Sequence, residues 1–155
     1  MAITSLGYNL SKQPIAQSFY IDEVNGIYAT KIDLFFSEKD AALPVSIELR
    51  PMVNGLPSSS EVIPGSIVSK NQSTVNTSAD ATTATTFEFD EPLYLKGLTD
   101  YALVINADSV FYKIWVAEID EFHIGGTERK VNKQPLSGSL FFSSNNVTFT
   151  PSQNL

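Results

Sequence analysis

The sequence predicts an all-β fold, a two-sheet antiparallel β-sandwich of jelly-roll type with little helix. Three observations carry this. Short stretches alternate apolar and polar residues with period two, as in residues 27–36. Asn-Gly, Pro and Gly turn signals separate these stretches at short intervals. No stretch of a dozen residues carries a helical apolar stripe free of Gly and Pro. A strand with one apolar face needs a second layer to cover it, and about nine or ten such strands make two sheets.

In chain order, residues 16–21 form a short apolar strand, and Glu23-Val24-Asn25-Gly26 reads as a hairpin turn after it. In residues 27–36, Tyr28, Thr30, Ile32, Leu34 and Phe36 fall on one face, with Ala29, Lys31, Asp33 and Phe35 on the other. Val45, Ile47 and Leu49 alternate with Ser46, Glu48 and Arg50, which predicts one buried and one wet face. Asn54-Gly55 supplies a second tight turn. Residues 62–68 follow as an edge or bulged strand, because Pro64 cannot donate to a ladder. Residues 69–86 are almost wholly Ser, Thr, Asn, Ala, Asp and Gln and read as a long polar surface loop. Alternation resumes at Thr86-Phe87-Glu88-Phe89, turns at Asp90-Glu91-Pro92, and continues through Leu93-Tyr94-Leu95. After Lys96-Gly97-Leu98-Thr99-Asp100, Tyr101, Leu103 and Ile105 alternate with Ala102, Val104 and Asn106, and residues 111–118 repeat the pattern. Residues 139–143 and 147–150 are short final strands. Tyr101, opening a strand just after a Gly turn, is placed either to pin a Greek-key corner through its hydroxyl or to sit as half-buried core.

The 155 residues suit a single domain spanning 1–155, with 1–13 as an extended N-terminal arm. Hydrophobic residues at 43% and charged residues at 17% indicate a globular chain rather than a disordered one. A net charge of −7 at pH 7 repels phosphate backbones, which argues against a nucleic-acid partner. No apolar run approaches bilayer length, so no membrane insertion is expected. The lack of cysteine removes thiol chemistry and fits synthesis in a reducing cytoplasm.

Chemistry has few footholds. His123, the only histidine, lies near Asp120 and Glu121, a pattern that a general base or metal ligand would need. No second His at zinc spacing, nucleophile elbow or phosphate loop accompanies it, so no catalytic residue, cofactor or metal is assigned. The acid pairs Asp22-Glu23, Asp90-Glu91 and Asp120-Glu121 would serve a polysaccharide hydrolase or bind calcium only if folding brought pairs together. Adjacent strand residues point to opposite faces, which favours solvated turn acids. Tyr94, Tyr112 and Trp115 are the ligand-binding candidates, because sugars bind by stacking on exposed flat rings. Tyr112 and Trp115 fall on opposite faces of one strand, and a buried aromatic is the ordinary alternative for each.

Several phrases resemble a β-sandwich module of the structural proteins of large contractile-tailed bacteriophages. They are Pro14-Ile15-Ala16-Gln17-Ser18-Phe19-Tyr20-Ile21, Asn25-Gly26-Ile27-Tyr28-Ala29-Thr30-Lys31-Ile32-Asp33-Leu34-Phe35-Phe36 and Leu43-Pro44-Val45-Ser46-Ile47-Glu48-Leu49-Arg50-Pro51-Met52-Val53-Asn54-Gly55. Phe87-Glu88-Phe89-Asp90-Glu91-Pro92, Tyr101-Ala102-Leu103-Val104, Lys133-Gln134-Pro135 and Gly138-Ser139-Leu140-Phe141 extend the likeness across residues 14–154. The resemblance implies a non-catalytic virion component of the tail, baseplate or fibre region, made in the bacterial host cytoplasm. Its implied partners are other virion proteins or further copies of itself, with a host surface glycan as the alternative ligand. The family pattern continues past residue 154 into another apolar strand, so an excised domain or a free-standing version with a sheet position open to a neighbour is expected.

Overall fold

The computed structural model describes residues 7–9, 14–109, 111–115, 139–143 and 145–151. Eleven strands are present among them: β1 (Gly7–Asn9), β2 (Ile15–Ile21), β3 (Ile27–Glu38), β4 (Val45–Val53), β5 (Leu56–Pro57), β6 (Val68–Lys70), β7 (Ala84–Leu95), β8 (Thr99–Ala107), β9 (Lys113–Trp115), β10 (Leu140–Ser143) and β11 (Phe149–Pro151). A single 3-10 turn, Gln72–Thr74, is the only helical element among the described residues. The architecture is an antiparallel all-β sandwich. One sheet runs β1-β9-β3-β7, and the other runs β11-β10-β2-β8-β4-β5, with β6 also paired to β4. Of the expected N-terminal arm, 1–13, Gly7–Asn9 pairs with β9 and the remainder lies outside the described residues. Residues 116–118 of the expected strand 111–118 and the phrase from Lys133 to Gly138 also lie outside them.

The main core is the space between the sheets. Ile32, Leu34, Phe36, Phe87, Leu93 and Leu95 from one sheet meet Ile15, Val45, Ile47, Leu49, Leu103 and Ile105 from the other. Burying each such side chain contributes roughly 1.5–3 kcal/mol, offset by the entropy of ordering it.

Several expectations need correction. Asn25-Gly26 does not close a hairpin: β2 pairs with β8 and β10, while β3 pairs with β7 and β9, so the turn carries the chain from one sheet to the other. The turn itself is real, closed by the Gly26 N–H donating to the Glu23 carbonyl at 3.0 Å with Gly26 at φ 76°.

The face of β3 is not continuous. Its register with β7 jumps from Ala29↔Leu93 to Lys31↔Glu88, so the Asp90-Glu91-Pro92 break is a bulge inside one long strand rather than a turn between two. The bulge flips the alternation. Ile32, Leu34 and Phe36 point inward as expected, whereas Tyr28 and Thr30 point to solvent.

The expected edge strand, 62–68, is strand only from Val68. Pro64 brings no N–H to β4, and the Leu49 N–H is met by the buried Ser66 hydroxyl at 3.0 Å, while the Ile63 N–H donates to the Leu49 carbonyl at 2.7 Å. The polar segment 69–86 is likewise not a free loop. It ends β6, places Val75 in the core at 1% exposure, and gives its last residues to β7.

The far face of the seven-stranded sheet is wet only in part, at Tyr20 and Asp100. That sheet curls until β11 lies alongside β5, nearly a barrel, and encloses a second small core of Ala16, Val104, Phe141 and Phe149 with Met52 packed on it. Arg50 is consequently buried, its Nε donating to Glu48 Oε1 at 2.7 Å and its Nη1 to the carbonyls of Ser58 at 3.1 Å and Asn146 at 3.0 Å.

Candidate functional site

One pole of the sandwich collects exposed apolar surface. It is built by the β2–β3 turn, residues 22–26, and the β7–β8 turn, residues 96–98, each fastened to the other. The Leu98 N–H donates to the Ile21 carbonyl at 2.7 Å. Gly97 lies so close beneath the first turn that a Cβ there would stand 2.2 Å from the Glu23 carbonyl oxygen and 2.3 Å from that of Val24. Tyr101, the third residue of β8, has its ring stacked on Phe19 at 6.1 Å, and its hydroxyl accepts the Lys96 N–H at 2.8 Å. Of the two roles open to Tyr101, the structure shows both corner pinning and burial, at 7% exposure.

Tyr28 and Tyr94 stand on this frame as directly paired residues of β3 and β7 on the solvent side of the sheet. Their ring centroids are 5.4 Å apart, tilted by 52°, and the Tyr94 hydroxyl donates to the Asn25 carbonyl at 3.0 Å. Tyr28 remains 71% exposed and Tyr94 53%, and Val24 at 75% and Leu98 at 57% continue the apolar strip across the two turns. Leu98 holds φ at 52°, a conformation that costs a non-Gly residue free energy.

The three aromatic candidates do not converge. Tyr94 belongs to the pole. Tyr112 is fully buried, edge-on to Phe36 at 5.9 Å with its hydroxyl donating to the Leu43 carbonyl, so it is core and not a ligand platform. Trp115 is half-buried, with its indole N–H donating to the Ser78 carbonyl at 3.0 Å. It neighbours Ile114, which pairs with Phe36, eight residues along β3 from Tyr28 and therefore about 25 Å away. Tyr28, Val24 and Leu98 are the residues that sequence reasoning missed. The Asp90-Glu91-Pro92 break was the available signal, because a bulge at that point predicts a change of face for the facing strand.

A densely hydrogen-bonded carboxylate lies at the opposite end. The Asp40 carboxylate accepts from the N–H groups of Ala42 at 2.6 Å and Leu43 at 2.8 Å and from the Ser109 hydroxyl. Ser109, followed by those backbone donors, holds the Asp40 carboxyl below its ordinary range. Burial, with the Asp40 charge in support, pushes the Tyr112 hydroxyl up. The Ser109 oxygen also accepts the Phe111 N–H at 3.0 Å, so the group clamps the β3–β4 loop to the β8–β9 loop.

Among the described residues no three His, Cys, Asp or Glu side chains gather to hold a metal. Asp22-Glu23 and Asp90-Glu91 are exposed, the first on a turn and the second in the β7 bulge. His123 and Asp120-Glu121 lie outside the described residues, as does the chain beyond residue 151. Within the same limits no helix is long and apolar enough to cross a membrane. Comparison with protein-family models, curated proteins and solved structures finds no match. The geometry of the molecule therefore carries the functional argument.

Proposed function

We propose that this chain is a non-catalytic β-sandwich module of a tailed-phage virion, holding a place in the tail, baseplate or fibre region by docking through its aromatic pole. The observation that carries the docking role is the strip of Val24, Tyr28, Tyr94 and Leu98, left exposed on two tied turns and the paired strands beside them. A fixed apolar strip presents contact area without an ordering cost at the moment of binding. The phage setting is supported by the strand phrases of residues 14–154 that resemble virion modules. Gold-labelled antibody against the chain, viewed by electron microscopy, should decorate the tail region of purified phage particles. Particles that lack the chain by mass spectrometry would remove the reading.

A second reading, recognition of a host glycan, is favoured by the open faces of Tyr28 and Tyr94, with the exposed polar side chains Lys31, Asp33 and Glu88 on the same sheet surface. On a glycan array, specific binding that disappears in Tyr94→Ala would replace docking with recognition. Turnover of a polysaccharide by the purified chain would overturn the non-catalytic assignment.

A further inference from the structure

The charge around the aromatic pole is one-sided. Within residues 22–33 and 88–100 the exposed acids are Asp22, Glu23, Asp33, Glu88, Asp90, Glu91 and Asp100, against two bases, Lys31 and Lys96. Asp22 and Glu23 lie on the turn that touches Tyr94, and Asp100 follows the turn that carries Leu98. Asp90 and Glu91 project from the bulge a few residues before Tyr94 on the same strand.

This arrangement discriminates among occupants. An isologous contact between two copies would set one acidic rim against another, and like charges facing each other oppose association. A strand added to the β7 edge would meet the Asp90-Glu91-Pro92 bulge, which carries charge and lacks one N–H. A neutral oligosaccharide would use the rings and leave the rim idle. A guanidinium or ammonium group uses both, because the negative face of a tyrosine ring attracts a cation and the surrounding carboxylates steer it there.

We infer that the pole binds a basic segment of a different protein, with an Arg or Lys side chain seated against the rings of Tyr28 and Tyr94 and neighbouring bases met by the acidic rim. The inference rests on the docking reading and names the chemistry of its partner. The same charge opposes an isologous self-contact through this face.

The test is a nuclear magnetic resonance titration of the full chain with hexaarginine, run beside a Gly-Ser peptide of equal length and cellohexaose. Hexaarginine should shift the ring signals of Tyr28 and Tyr94 and the amides of residues 22–26 and 96–100. Tyr28→Ala should weaken it about three- to fivefold, Tyr28→Phe should retain it, and added salt should weaken it in both. Glu23→Gln should weaken it while leaving the fold intact, since Glu23 is exposed. Shifts spread evenly over the acidic surface, or the same affinity in Tyr28→Ala, would overturn the inference. Equal binding of cellohexaose would overturn it in favour of a glycan. A failed titration with gold still on the tail removes the basic ligand alone, whereas particles lacking the chain remove the virion reading alone.

Discussion

Two tyrosines in this chain, Tyr112 and Tyr94, have opposite duties although they share one side-chain chemistry. Tyr112 fills the core at 0% exposure, so Tyr112→Ala should cost about 3–5 kcal/mol in urea unfolding. Tyr94→Ala, at an exposed position, should cost less than about 1.5 kcal/mol and leave the melting transition cooperative. The reversed order would show that the pole, and not the Phe36–Tyr112 core, holds the sandwich. Sequence could not separate them, since both follow or precede apolar residues in alternation and the offset argument fixes relative faces only. Asp40 makes a pH-dependent contribution of definite sign. Its folded carboxyl titrates below the ordinary 3.8, so its stabilisation is present above that value and is lost as the pH falls through the folded pKa. Asp40→Asn should therefore lower the urea midpoint near neutral pH, and the gap from the parent chain should close in strong acid. A gap of constant size would show that the carboxylate charge contributes nothing beyond the hydrogen bonds an amide can also accept.

At the scale of elements, the two turns of the pole are one device. Gly97 allows backbone contact with Glu23 and Val24, and Tyr101 pins the strand that follows. Gly97→Ala would force the β2–β3 turn away, because the obstructing atoms are backbone and cannot rotate aside. The expected result is a loss of at least about 2 kcal/mol with shifted amides at residues 22–26, read by nuclear magnetic resonance and thermal unfolding. An unshifted turn would mean that the two loops are not coupled. The strands themselves were legible, because burial repeats with period two in β4 through Leu49 and the turns carry Asn-Gly or Lys-Gly. The pairing was not. Asn25-Gly26 has the local chemistry of a hairpin, but β2 finds β8, nearly eighty residues away, and no local signal encodes that choice. The same is true of the face of Tyr28: the alternation is visible in the sequence, while the bulge that inverts it arises from the register of a distant strand.

At the scale of the whole molecule, the curled sheet is fastened by one side chain. Arg50 projects from β4 into the second core, lies 5.4 Å over the Phe149 ring, and donates to the Asn146 carbonyl and side-chain oxygen, both at 3.0 Å, and to the Ser58 carbonyl at 3.1 Å. It thus ties β4 to the segment after β5 and to the β10–β11 turn. No ladder joins β11 to β5, and Pro57 and Pro151, one on each strand, lack the N–H that such a ladder would use. The guanidinium replaces the missing ladder. Arg50→Met keeps much of the volume but leaves Glu48 and several carbonyls without their donor, and should cost about 3–5 kcal/mol. Arg50→Lys should recover little of this, since one ammonium cannot span the same planar set of acceptors. Hydrogen exchange locates the effect: amides of residues 145–151 and 56–58 should lose protection in Arg50→Met well before those of Ile47 and Leu103, whose side chains lie in the main core between the sheets. Uniform loss of protection across both cores would show that the curled sheet opens only with the whole sandwich, making Arg50 a contributor to global stability rather than the fastener of the β5–β11 seam.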